Sequence, residues 1–293
     1  MNQEKLDLNY EMKYILNNCF HQTKGVANPT LLHSEIDTFK GSNGVYTFPY
    51  NFHFLKQSTS LELIRKIAVI NAIYLRYFFV EDKVLDDYNL PINQFRQHII
   101  NLCEVHKFRL LSAGQFVHLC GEPILEYMLE YEGKYYEGVV FEKQDKGISV
   151  ETMLDEANLC FIGLKFLPIC VSFAAFCLLE DMIDKMKTCE HLITNFQIGR
   201  QLIDDLNDIE EDIHKPDRSY LINACQQSAG KDELTLQEVQ EVLFSGDHDY
   251  RIAQVIAHVM QAAEEYAQKL NFSIFLEKIE LYKNKSENYK RKS

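Results

Sequence analysis

The chain has 293 residues, 46% of them hydrophobic and 25% charged, with a formal net charge of −13. That sign excludes a nucleic-acid backbone or an anionic membrane surface as the main partner, and an anionic substrate would need cations gathered locally, from a metal or from a few placed Lys and Arg. The eight cysteines form no CxxC pair and several stand in apolar stretches, so they read as buried thiols of a reducing cytosol; Met1–Tyr14 shows no signal peptide, and a cytoplasmic protein is expected.

In chain order, Leu6–Phe20 predicts a helix, and Gly25, Pro29, Gly41 and Gly44 then punctuate a loop-rich arm reaching residue 50. A lid and a packed arm both suit that composition. From Ser58 to about Tyr88, Leu61, Ile64, Ile67, Ala68, Asn71, Tyr74, Leu75 and Phe78 recur at helical spacing, with Ser58 or Ser60 as N-cap. Pro91–Cys103 opens another amphipathic helix. Leu110–Tyr131 reads as helical, broken at Gly121–Pro123 and ending near Gly133. Tyr135–Asp145 is a short mixed stretch, and Lys134–Phe141 is the one candidate strand.

Val150–Lys187 is long and apolar, interrupted at Gly163 and Pro168. Within it, Leu159–Leu179 has the length of a membrane span, but Lys165 inside it and Glu180 and Asp181 after it favour a buried helix over a transmembrane segment. His191–Ile213 is an acidic helix. A basic turn, Lys215–Tyr220, leads to helices at Tyr220–Gln227, Leu234–Phe244 and Tyr250–Leu270. A basic tail, Lys283–Ser293, is expected to fray. With no repeat and no linker, the expectation is one all-α domain over residues 1–293.

The chemistry concentrates in Gly199–Tyr220, GRQLIDDLNDIEEDIHKPDRSY. Asp204, Asp208 and Asp212 recur every four residues and stack along one helical face. An acidic run of this kind is often only a solvated face. Here it stands beside apolar Leu202, Ile203, Leu206 and Ile209, and carboxylate oxygens suit a hard cation such as Mg²⁺. A second acidic stretch, Phe78–Leu90, places Asp82 and Asp86 four apart at the end of an apolar helix. Two such helices facing each other would hold several cations, and the cations would grip a diphosphate.

These residues resemble the class I isoprenoid synthases. Gln201-x-x-Asp204-Asp205-x-x-Asp208 is similar to the second aspartate-rich motif of trans-prenyl diphosphate synthases. Asp204-x-x-x-Asp208-x-x-x-Asp212 has the spacing of the metal triad of terpene cyclases. Asp208-x-x-Glu211-Asp212, followed by Arg218 and Tyr220, is similar to a motif of squalene and phytoene synthases. Asp82-x-x-x-Asp86 stands where the first motif belongs, without its full D-D-x-x-D form.

The resemblance implies a single-domain, all-α, class I isoprenoid (terpenoid) synthase-like helical bundle around a central cavity. It implies Mg²⁺, with Mn²⁺ as a substitute, on Asp82, Asp86, Asp204, Asp208 and Asp212 as metal-binding and catalytic residues. The partner implied is a prenyl diphosphate (farnesyl, geranylgeranyl or longer), and the assembly a homodimer. Lys165, Arg200, Lys215, Arg218 and Tyr220 are candidates for the diphosphate. Lys165 equally reads as paired with a core carboxylate, Arg200 as a salt-bridge partner, and Lys215, Arg218 and Tyr220 as compensation of a helix C-terminus. Tyr74, Phe78, Phe166, Phe173, Phe196 and Gln201 are candidates for the pocket. The aromatic faces would steady a carbocation, or the rings are plain core.

The N-terminal basic cluster by which chain-elongating synthases take a second diphosphate is missing from this sequence, where Lys24-Gly25 stands alone. The arginine sensor of terpene cyclases is missing too, its place reading Asp155-Glu156-Ala157-Asn158. The sequence reading prefers a terpene synthase that ionises one prenyl diphosphate and cyclises or eliminates. A condensing prenyltransferase comes second, and a non-catalytic helical subunit of a prenyl synthase is the rival of a different class.

Overall fold

In the computed structural model the residues described are 6–23, 43–86, 92–144, 147–214 and 219–290. Among them every regular element is helical. The order is α1 (Leu8–Thr23), α2 (Asn43–Tyr46), α3 (Phe52–Leu55), α4 (Leu61–Asp86), α5 (Ile92–Cys120), α6 (Ile124–Gln144), α7 (Val150–Met153), α8 (Glu156–Leu164), α9 (Cys170–Glu180), α10 (Met186–Asn207), α11 (Ile209–Asp212), α12 (Tyr220–Ala229), α13 (Leu236–Ser245), α14 (His248–Lys269) and α15 (Ser273–Lys290).

Local chemistry explains the boundaries. Ser60 Oγ accepts from the Leu63 amide at 3.2 Å and starts α4. Gly121, at φ +85°, supplies the left-handed residue that ends α5, and Pro123 precedes α6. Thr235 and Glu238 form a capping box at the start of α13. The expected stop near Gly133 and the candidate strand at Lys134–Phe141 are both replaced by helix, since α6 runs unbroken to Gln144. Gly133 is exposed with nothing near its Cα side, so the glycine costs only its intrinsic preference of about 1 kcal/mol. The tail is also helical as far as Lys290. The long apolar stretch is divided at Lys165–Phe166, and no single helix among the described residues is long and apolar enough to cross a membrane.

The contacts divide the chain into two compact units, residues 1–129 with 171–186, and residues 130–170 with 187–293. In the first, α4 packs along α5 and buries Ile64, Ile67, Ala68, Tyr74 and Phe78, and Phe52 rests on Phe173 and Phe176 with centroids 5.3 and 5.0 Å apart. Glu11 of α1 is buried and accepts from Tyr50 Oη at 2.7 Å and Arg65 Nε at 2.8 Å, which ties α1 to α4.

In the second unit α10 buries Leu192, Ile193, Leu202 and Ile203. Two glycines allow close crossings beside it. A methyl at Gly138 would stand 2.9 Å from the Phe161 carbonyl oxygen, and one at Gly163 would stand 3.0 Å from the Thr194 carbonyl oxygen. Backbone therefore meets backbone at α6–α8 and α8–α10. Five of the eight cysteines are buried thiols, whereas Cys103 and Cys160 are exposed.

Candidate active site

The column on α10 survives the end of the regular helix. The Asp208 amide donates to the Asp204 carbonyl at 3.0 Å and the Asp212 amide to the Asp208 carbonyl at 2.8 Å, so the three stay one turn apart. Their environments differ. Asp204 is half-buried, Asp208 exposed and Asp212 buried. Arg200 Nη1 donates to Asp204 Oδ2 at 2.8 Å, and the same guanidinium lies 5.7 Å from the centroid of Phe166. Burial pushes the Asp204 carboxyl above its ordinary range, Arg200 and Lys285 oppose the shift, and the Asp208 charge adds to it. A cation between Asp204 and Asp208 would relieve that repulsion.

Asp205 points the other way. It accepts from Gln201 Nε2 at 2.7 Å and from the Leu221 amide at 3.4 Å, and burial pushes it up to about 7 against those two bonds, with Glu142 and Asp212 adding to the rise. Leu221 is in the first turn of α12, whose N-cap Ser219 accepts from Ile222. Asp205 thus moors the start of α12 to α10 as a hydrogen-bond acceptor.

Beside this tie is a small cleft lined by Gly138, Phe141, Glu142, Ile162, Lys165, Gln201 and Tyr220. Phe141 stacks on Phe161 at 4.3 Å and touches Tyr220 at 5.6 Å. Lys165 is the residue that closes α8, and its ammonium pairs with Glu142 at 2.5 Å, the two side chains 26% and 28% exposed. Of the two roles open to Lys165, the carboxylate pair is the one present; a diphosphate would have to exchange with Glu142.

The structure brings Lys165, Gln201 and Tyr220 into one cleft and sets Arg200, Asp204 and Phe166 together. The other candidates are distributed. Asp82 is half-buried on α4, next to buried Glu81, which accepts from Tyr77 Oη at 2.9 Å. Tyr74 and Phe78 pack on each other at 5.1 Å, Phe173 belongs to the Phe52–Phe176 cluster, and Phe196 packs on Phe275 and Tyr282 of α15. Lys215, Arg218 and the side chain of Asp86 lie outside the described residues.

Among the described residues no three of His, Cys, Asp and Glu converge to hold a metal. The donor chemistry of Asp204 and Asp208, two carboxylates a turn apart with one at the surface, fits a hard cation that keeps several of its waters. Glu142 was not anticipated, because it falls in the stretch read as mixed. Tyr131, Tyr135, Gly138 and Glu142 follow at intervals of four, three and four, and that helical period was the available signal.

The backbone aligns with a geranylgeranyl pyrophosphate synthetase from the archaeon Geoglobus acetivorans at a TM-score of 0.71, with 12% identity, over 94% of this chain and 98% of that one. It aligns with a geranylgeranyl pyrophosphate synthase from Lactobacillus brevis at 0.69, with 14% identity, over 94% and 96%. A heptaprenyl diphosphate synthase from Staphylococcus aureus gives 0.67, with 15% identity, over 97% and 99%. The chain has the prenyl diphosphate synthase fold. The expected all-α architecture of the class I isoprenoid synthases is therefore present. No protein-family model and no curated protein matches the sequence. At these identities the likeness is one of fold, and on that fold the carboxylate column runs from the end of α10 into α11.

Proposed function

We propose that this protein is a divalent-metal-dependent prenyltransferase, which ionises an allylic prenyl diphosphate and joins the resulting carbocation to a second isoprenoid. The observation that carries the reading is the Asp204–Asp208 pair at the C-terminal end of α10, two carboxylates one turn apart, in a chain with the prenyl diphosphate synthase fold. The sequence preference for cyclisation gives way here, because the structural likeness is to enzymes named for making linear prenyl diphosphates.

Asp204 and Asp208 are the pair that would hold Mg²⁺ or Mn²⁺, with Asp212 next in the column, and Asp82 and Asp86 are the candidate ligands of α4. Bound there, the cation supplies Lewis-acid stabilisation of the negative charge on a departing diphosphate. Lys165 would add a cation to a diphosphate that enters the cleft, once Glu142 releases it. Gln201 holds Asp205 and so fixes α10 against α12 while the other carboxylates act. Phe141 and Tyr220 give the cleft an aromatic wall that excludes water and steadies positive charge.

The test is diphosphate release from farnesyl and geranylgeranyl diphosphate with Mg²⁺, with and without isopentenyl diphosphate. Release that depends on isopentenyl diphosphate and yields a longer prenyl diphosphate is expected. Release without it, giving hydrocarbon or alcohol, would select the cyclase. No release from either substrate would leave a non-catalytic helical subunit.

A further inference from the structure

The C-terminal helix α15 packs against α10 through its rings, with Phe196 at 4.8 Å from Phe275 and 5.5 Å from Tyr282. Lys278 stands one turn from each of those rings on the same face of α15, so it faces the part of α10 that carries Phe196 and, one turn on, Arg200. Lys285 follows on that face, its ammonium 4.6 Å from the centroid of Tyr282. Arg200 is bonded to Asp204 and held over Phe166. Lys278 is half-buried and has no carboxylate partner among the described residues; burial first, then Arg200 and Lys285, hold its ammonium below the ordinary 10.5. Arg200 and Lys285 act on Asp204, and Lys278, partly out of water, feels both of those cations, an arrangement that repels itself until an anion enters.

We propose that Arg200, Lys278 and Lys285 form an anion subsite at the seam of α10 and α15, which binds a diphosphate group without a metal. Arg200 offers a planar fork for two phosphate oxygens, and the lysines add point charges from the opposite helix. The subsite would neutralise the second diphosphate in a chain that lacks the N-terminal basic cluster. That assignment to a substrate rests on the prenyltransferase reading; the anion site itself does not.

Titration calorimetry of the full chain with inorganic pyrophosphate in EDTA tests it. Saturable binding is expected, weakened tenfold or more by Lys278→Gln, largely restored by Lys278→Arg, and strengthened by Asp204→Asn, which releases Arg200. Absence of saturable binding in EDTA, or binding that Lys278→Gln leaves unchanged, overturns the subsite. If Lys278→Gln loses its helical circular dichroism, Lys285→Gln, at an exposed position, takes its place, and unchanged binding there overturns it equally. Competition by isopentenyl diphosphate supports the substrate assignment, and lack of competition removes it. A chain that binds pyrophosphate yet condenses nothing keeps the subsite and loses the proposed function, whereas one that condenses but binds none loses the subsite alone.

Discussion

Within one acidic run, Asp205 is buried and bonded to Gln201 and the Leu221 amide, while Asp208 is exposed and makes no capping bond at the start of α11. Truncating each therefore separates structure from chemistry. Asp208→Ala is expected to lower Mg²⁺-dependent diphosphate release by about a hundredfold or more while changing stability by less than about 0.5 kcal/mol. Asp205→Ala, which strands an amide and removes the mooring of α12, is expected to lose about 2 kcal/mol. Urea denaturation beside the release assay reads both; a large stability loss in Asp208→Ala would make the column a structural feature. The alternation was half legible. Four-residue spacing gave the column of Asp204, Asp208 and Asp212, but nothing in the letters says that Asp205 turns inward to a helix sixteen residues later. The same holds for Lys165, where composition showed a charge in apolar surroundings and only the folded chain shows that Glu142 answers it.

Among the elements, α1 is tied to α4 through Glu11, buried against Tyr50 and Arg65. Burial alone would raise the Glu11 carboxyl, but the hydrogen bonds from Arg65 and Tyr50 outweigh it and hold it below the ordinary 4.5. A carboxyl lowered in the folded state contributes stability above its unfolded value and loses it as pH falls through the folded one. Unfolding measured from pH 6 downward should thus steepen below about 4.5. Glu11→Gln should flatten that acid limb and cost about 2 kcal/mol at neutral pH, a figure kept low because Arg65 is partly exposed. An unchanged acid limb in the variant would show that other carboxylates govern it.

Helices with strong caps or breakers, such as the α5–α6 junction at Gly121–Pro123 and α13 with its Thr235–Glu238 box, were readable because their signals are local. The continuation of α6 past Gly133 was not, because packing of Gly138 on the Phe161 carbonyl, a contact between distant segments, overrides the local preference. The helical tail was masked in the same way. Its basic composition suggests fraying, while Phe275 and Tyr282 dock it on Phe196.

At the scale of the molecule, the fold class was legible from the absence of alternation and the run of helical periods, and the choice between condensation and cyclisation was not, since both reactions use the same carboxylates. The cations at the seam of α10 and α15 stand in a chain whose net charge is −13. A diphosphate approaching such a body is repelled at long range and attracted only within roughly a Debye length, about 8 Å at physiological salt. Encounters are then limited by the approach, not by the final contact. Added monovalent salt screens the long-range repulsion before it weakens the close pairing, so kcat/KM for the prenyl substrates should rise with ionic strength at the low end of the range. A steep fall over that range would mean that long-range attraction dominates. The expected behaviour is the reverse of electrostatic steering: a molecule that captures its substrate faster when its own field is dimmed.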